Sequence, residues 1–139
     1  MTTTMNIPLP APTVYSKPYW EGCKRHELLV QKCEDCGKLT FVPQPACMHC
    51  LSQKLQWVKG TGRGTVYSYT TIWRPQTPAF EVPYVVAIID MDDGYQMMSN
   101  VVGCEPAKVE VGMRVEVEFR PMSETITLPY FRPERRAGR

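Results

Sequence analysis

The chain has 139 residues, 43% of them hydrophobic, and a formal net charge of +2. That length holds about one ordinary domain, or two very small ones, around a single modest core. No stretch approaches the roughly 20 apolar residues of a membrane span, and MTTTMNIPLPAPTV lacks the charged start and apolar middle of a signal peptide, so the expected setting is the cytoplasm.

In chain order, the first expected element is a helix. Thirteen prolines leave room for one of any length only between about Ser16 and Gln31. Ser16 can cap it, Pro18 suits the first turn, and Trp20, Cys23, Leu28 and Leu29 supply apolar positions that match the helical period only in part, with a possible break near Gly22.

The cysteines follow. Four of the six form K-C-E-D-C-G (Cys33, Cys36) and A-C-M-H-C-L (Cys47, Cys50), two C-x-x-C pairs ten residues apart. Two such turns can deliver four sulfurs to one ion, the closed tetrahedral shell of structural zinc. Gly37 suits the positive backbone angle that such a turn requires. A disulfide or a redox pair fits less well, because no secretion signal is visible and a redox motif does not explain the duplicate; iron in the same cage is the live competitor. His49 lies inside the second pair and reads as a bystander. Cys23 and Cys104 have no such partners and read as small apolar side chains. Between the pairs, Leu39, Phe41 and Val42 are expected to form a small hairpin against the metal. Four thiolates around one divalent ion carry −2, which brings the folded chain near neutrality and argues against a broad nucleic-acid footprint. The basic residues of RPERRAGR at the end of the sequence read as a solvated tail.

Beyond Gly60, Gly62 and Gly64 the pattern becomes that of strands. Five are expected: from Gly64 to Pro75, from Tyr84 to Met91, from Tyr95 to Gly103 after the Asp92-Asp93-Gly94 turn, from Val111 to Arg120, and from Ile126 to Pro133. The fourth alternates, with Val115, Val117 and Phe119 on one face and Arg114, Glu116, Glu118 and Arg120 on the other. Five short strands with one longer connection fit a small closed barrel such as an OB-fold. The fold class is therefore mainly β: residues 1–31 an arm and helix, 32–60 a zinc ribbon, 61–133 an OB-fold, and 134–139 a basic tail.

Catalytic machinery is not apparent. Cys23 with His26, and Cys104, are the only spare nucleophile candidates and read as packing residues. Asp90, Asp92 and Asp93 read as an acidic turn. Gly60-Thr61-Gly62-Arg63-Gly64 is too compact for a phosphate-binding loop.

P-Y-W-E-G in the helix, the four-cysteine ribbon, G-x-G-x-V-Y-S-Y-T, P-Y-V-V-A-I-I-D and L-P-Y-F-R-P together resemble one family: acyl-CoA-associated proteins that join a rubredoxin-like zinc ribbon to an OB-fold. The likeness runs from about Tyr15 to Pro133. It implies a noncatalytic accessory subunit of a thiolase-like enzyme, or of a related hydratase or aldolase. Structural Zn2+ and a CoA thioester shared with the partner are the ligands it implies, and Tyr19, Trp20, Phe131 and Arg132 are the expected contacts. The competing class is a single-stranded nucleic-acid module, with Tyr67, Tyr69 and Trp73 as stacking platforms. Charge disfavours it: from Thr61 onward nine Lys and Arg face ten Asp and Glu.

Overall fold

A computed structural model describes residues 8–134. The basic tail, with Arg135, Arg136 and Arg139, lies outside the described residues. Helix α1 (Lys17–Lys24) is followed by strands β1 (Leu29–Cys33), β2 (Leu39–Thr40) and β3 (Leu55–Lys59), which form a sheet in the order β2-β1-β3. The remaining strands are β4 (Arg63–Ile72), β5 (Tyr84–Met91), β6 (Gln96–Val101), β7 (Arg114–Pro121) and β8 (Thr127–Pro133). They close into a barrel in the order β4-β5-β6-β8-β7, with β7 returning to β4. No helix among the described residues is long and apolar enough to cross a membrane.

The helix is shorter than the whole window from Ser16 to Gln31 and ends close to the break expected near Gly22. It stops at Lys24, and Leu29 and Val30 belong to β1 rather than to a continued helical face. The end is a Schellman motif: the Glu27 N–H reaches the Gly22 carbonyl at 2.8 Å and the His26 N–H reaches that of Cys23 at 2.9 Å. The left-handed position of this motif, usually glycine, is filled by His26 at φ 63°. Gly22 lets the chain fold back over itself, since a Cβ there would lie 2.7 Å from the Leu29 side chain. At the other end Ser16 makes no side-chain cap; its hydroxyl instead accepts the Thr13 N–H at 2.8 Å.

The segment between the cysteine pairs also differs from expectation. It forms no hairpin of its own. β2 pairs with β1 through Gln31↔Thr40 and Lys32↔Leu39, and buried Gln31 clamps the following loop, donating to the Gln44 carbonyl at 2.9 Å and accepting the Gln44 N–H at 2.8 Å. Phe41 stacks on Tyr95 and meets Tyr19 edge-on, while Val42 is exposed.

The barrel strands lie close to where the sequence puts them. β4 stops at Ile72, ahead of Pro75, whose missing N–H cannot extend a ladder. Val115 is fully buried and Val117 and Phe119 pack partly against the core, as the alternation requires. One core spans both halves of the molecule, with Tyr19, Cys23, Leu28 and Val30 from the first and Val66, Ile89, Tyr95, Val115 and Phe131 from the barrel. The two halves are also tied by Asp93 at the tip of the β5–β6 turn, whose carboxylate accepts the Thr61 N–H at 3.0 Å and the Thr61 hydroxyl at 2.7 Å. Asp93→Ala is expected to lower unfolding stability by about 1–2 kcal/mol while leaving metal content unchanged, as measured by urea denaturation alongside elemental analysis.

Candidate metal centre and contact surfaces

The two cysteine turns are built alike. In the first, the Gly37 N–H reaches the Cys33 carbonyl at 2.9 Å; in the second, the Leu51 N–H reaches that of Cys47 at 2.9 Å. Gly37 takes φ 75° at no steric cost, and Leu51 takes φ 67° in the equivalent place, held there although it is a large exposed side chain. The turns are joined by the Ser52 hydroxyl donating to Asp35 at 2.6 Å.

This scaffold brings Cys33, Cys36, Cys47 and Cys50 together, with all four sulfurs within 4.8 Å of one another. The Cys33–Cys50 and Cys36–Cys47 sulfurs are each 3.6 Å apart. A tetrahedron of sulfurs around zinc, with Zn–S near 2.3 Å, has edges of about 3.8 Å, so the spacing fits. Without a metal the four thiols divide: Cys33 and Cys47 are held down, whereas Cys36 is pushed up and Cys50 is pushed up to about 12 despite a backbone N–H from Ser52, chiefly by the neighbouring Cys33 sulfur. Backbone N–H groups of Cys36 and Asp35, each 3.4 Å away, hold the Cys33 thiol below its usual range. At Cys47 burial works against ionisation, but N–H groups of Cys50 and His49 outweigh it and bring the thiol down to about 6. His49 is not part of the cluster; its Nε2 lies 2.9 Å from the Leu39 carbonyl oxygen and braces β2. Cys33 and Cys47 are fully buried, whereas Cys36 and Cys50 face outward.

The other expected contact residues separate. Phe131 is fully buried and Tyr19 nearly so, so neither of these two expected contact residues is exposed. The reason lies in the ladder. The Phe131 carbonyl accepts the Val102 N–H at 2.7 Å on the β6 side, so residues of the same parity, Pro129 and Pro133, also direct their backbone positions toward β6. β6 and β8 pair at one position only, so the missing proline donors cost little there. Leu128, Tyr130 and Arg132 meanwhile serve the continuous ladder with β7. Trp20 is half-buried beside Tyr19, their ring centroids 4.9 Å apart. Arg132 is half-buried on the outer face, its guanidinium 2.9 Å from Glu116 and 3.4 Å from Glu118.

The spare nucleophile candidates are not brought into pairs. Cys23 is fully buried, and burial raises its thiol to about 12. His26, three residues on, is exposed and stacks on Phe119 at 5.3 Å. Among the acidic residues, Asp92 makes a two-pronged contact with Arg114, both bonds 2.8 Å, and Asp93 binds Thr61, so the β5–β6 turn is committed to internal contacts.

Comparison with known proteins gives a consistent picture. Residues 20–56 match the family described as the ChsH2 rubredoxin-like zinc ribbon domain, and residues 57–120 match the ChsH2 C-terminal OB-fold domain. The chain is 40% identical over 115 residues to a "Probable enoyl-CoA hydratase alpha subunit" of Thermomonospora curvata; the match covers 83% of this chain but only 36% of that protein, so the chain spans about a third of its length. It is 35% identical over 103 residues to a "DUF35 domain-containing scaffold protein" of Methanothermobacter thermautotrophicus, covering 73% of this chain and 77% of that one. Among solved structures it is similar to a chain of the "Ltp2-ChsH2(DUF35) aldolase", with 38% identity, a TM-score of 0.82, and coverage of 90% of this chain and 98% of that one.

Proposed function

We propose, from the fact that this chain belongs to the DUF35 family of ChsH2-type zinc-ribbon and OB-fold proteins, that it is a noncatalytic accessory subunit of an acyl-CoA enzyme. The partner is a thiolase-like chain or a related aldolase or hydratase, and the two share a surface along which the CoA thioester lies. Cys33, Cys36, Cys47 and Cys50 hold a structural zinc that stiffens the ribbon. Trp20 and Arg132 are the contact residues, while Tyr19 and Phe131 pack behind them.

The observation that carries this reading is the likeness, 38% identical over nearly the whole of that chain, to the DUF35 component of an aldolase structure. The chemistry of the chain agrees with it. A fully buried thiol with a raised pKa makes a poor nucleophile, and His26 is turned to Phe119 instead of to a thiol. The ribbon adds exposed apolar side chains, Val42, Met48 and Leu51, around a groove of about 260 Å3, a surface suited to burial against another protein.

The rival reading, a single-stranded nucleic-acid module, draws on the exposure of Tyr67, Tyr69 and Trp73. Against it, Arg114, Arg120 and Arg132 are each engaged by carboxylates, and from Thr61 onward nine Lys and Arg face ten Asp and Glu, so this half of the chain carries no excess of positive charge for a phosphate backbone.

The test is to express a thiolase-like chain encoded beside this one with and without it. Co-elution on gel filtration is expected, with acyl-CoA cleavage, followed as free thiol, at least about tenfold faster in the complex and absent from this chain alone. Equal turnover without co-elution removes the accessory role, turnover by this chain alone removes the noncatalytic one, and salt-sensitive retention of an oligonucleotide favours the rival.

A further inference from the structure

Strand β4 outruns its pairing with β7. Residues 63–65 have β7 on one side and β5 lies along the other, and Val66 still exchanges bonds of 2.9 Å with Met113 and Gly112. Past the bulge between Val66 and Ser68, residues 68–72 continue along β5 alone. On its other side this stretch forms no backbone hydrogen bond with any described residue, so alternate N–H and C=O groups are left unpaired. Tyr69 and Thr71 lie opposite buried Ala87 and Val85, yet Tyr69 is 40% exposed, because the sheet over the core ends at this edge. Other edges carry devices that discourage pairing with foreign strands: β2 has two residues and runs on to Pro43 and Pro45, β3 ends in Lys59, and β8 has Pro129 and Pro133 beside β6. From Thr65 to Trp73 the chain has no charge, no proline and no glycine.

We propose that this edge is an interface between two copies of the chain, their β4 strands joined antiparallel about a two-fold axis at Thr70. Thr70 is the midpoint of the free stretch, and it is exposed. With Thr70 facing Thr70, Tyr69 faces Thr71, Ser68 faces Ile72, and Tyr67 comes alongside Trp73 of the second copy. The edge is thus complementary to itself. Thr–Thr and aromatic–aromatic pairs are favoured cross-strand neighbours, and no like charges meet. Moving the axis one residue toward the C-terminus brings Arg74 into the ladder, and one residue the other way runs it into Val66, which is already bonded. Tyr67 and Trp73 are 59% and 70% exposed. An aromatic side chain buries about 150–250 Å2 when covered, so four such rings and the paired backbone bring the contact to about 1,000 Å2, the size of a weak, reversible dimer. The second copy also covers the core rim at Tyr69. Neither Trp20 nor Arg132 takes part, so the interface does not rest on the enzyme partner proposed above.

The test is sedimentation equilibrium of the full zinc-loaded chain from about 1 μM to about 500 μM. The weight-average mass is expected to rise from that of one chain toward that of two, with a Kd of roughly 10–100 μM. Thr70→Lys sets two cations against each other on the axis, with Cα atoms about 4.5–5.5 Å apart, and is expected to weaken association at least about fivefold; Thr70→Glu does the same with two anions. Mixed one to one, the two variants are expected to associate at least as tightly as the unaltered chain, since opposite charges then meet, and this rescue requires both to be folded. A single-chain mass for the unaltered chain across the whole range overturns the proposal, and that reading needs no variant. Association of Thr70→Lys equal to that of the unaltered chain, or a mixture no tighter than either folded variant alone, overturns it as well. So does an unaltered chain that stays monomeric while Thr70→Lys abolishes co-elution with the thiolase-like chain, which assigns the edge to the enzyme instead.

Discussion

Serine in place of Cys33 is expected to strip the metal and unfold residues 29–59 while the barrel strands persist. Cys33 is fully buried at the end of β1, where its sulfur accepts two backbone N–H groups and meets Cys50 at 3.6 Å. The sheet it anchors is small: β2 has two residues, and of the strands' apolar side chains only Val30 is fully buried. Such a fragment does not hold itself together by burial. A structural zinc supplies about 10–16 kcal/mol of binding free energy in small ribbons and fingers, and that binding energy is folding energy. The effect is bounded, because the barrel has its own closed ladder and most of the shared core. Amide exchange should therefore show protection lost across β1–β3 and kept in β4–β8, with β6 loosened near Tyr95, which stacks on Phe41. Elemental analysis should give about one zinc per chain before the substitution and almost none after it. Stoichiometric iron, or a metal-free chain whose ribbon amides stay protected, sinks the assignment.

How far the molecule can be read from its residues depends on which signals are local. The two C-x-x-C turns are local, and so is the alternation of Val115, Val117 and Phe119; both appear in the structure where the sequence puts them. The Asp92-Asp93-Gly94 turn likewise falls between β5 and β6, with Gly94 at φ 106°. What is not local is not legible. The end of α1 falls two residues after the break expected near Gly22, but its left-handed position is taken by His26 where glycine is usual, so the letters mark the stop only in part. Leu51 hides the symmetry of the cysteine turns in the same way. β1 is a strand because β2 and β3 lie on either side of it, a tertiary fact that overrides the helical look of Leu28 and Leu29. A cleft of about 480 Å3 lined by Phe80, Tyr84, Asn100, Arg120 and Tyr130 is assembled from four separate segments and has no sequence signature.

Phe131→Ala is expected to be among the most damaging substitutions in the barrel. The proline-flanked motif around it invites the idea of an outward-facing segment, yet parity decides otherwise: with Tyr130 and Arg132 on the outer face, Phe131 must point in, and it is fully buried. It sits opposite Val117 on β7 and Val101 on β6, at the one position where β8 closes the barrel against β6. Truncating a buried phenylalanine leaves a cavity as well as lost transfer free energy, together about 3–5 kcal/mol. A single domain is stable by only about 5–15 kcal/mol, so this loss is a large share of the total. Urea denaturation should show a much lower midpoint with an unchanged slope, the mark of lost stability without a changed unfolded state. Arg132→Ala makes the contrast. Its guanidinium is partly solvated and paired with Glu116 and Glu118, so its removal should cost no more than about 1 kcal/mol. If a partner contact runs through this strand, the weakened binding belongs to Arg132→Ala. A Phe131→Ala chain that keeps its midpoint but fails to bind the partner would instead put the phenyl ring at the interface and overturn the buried assignment.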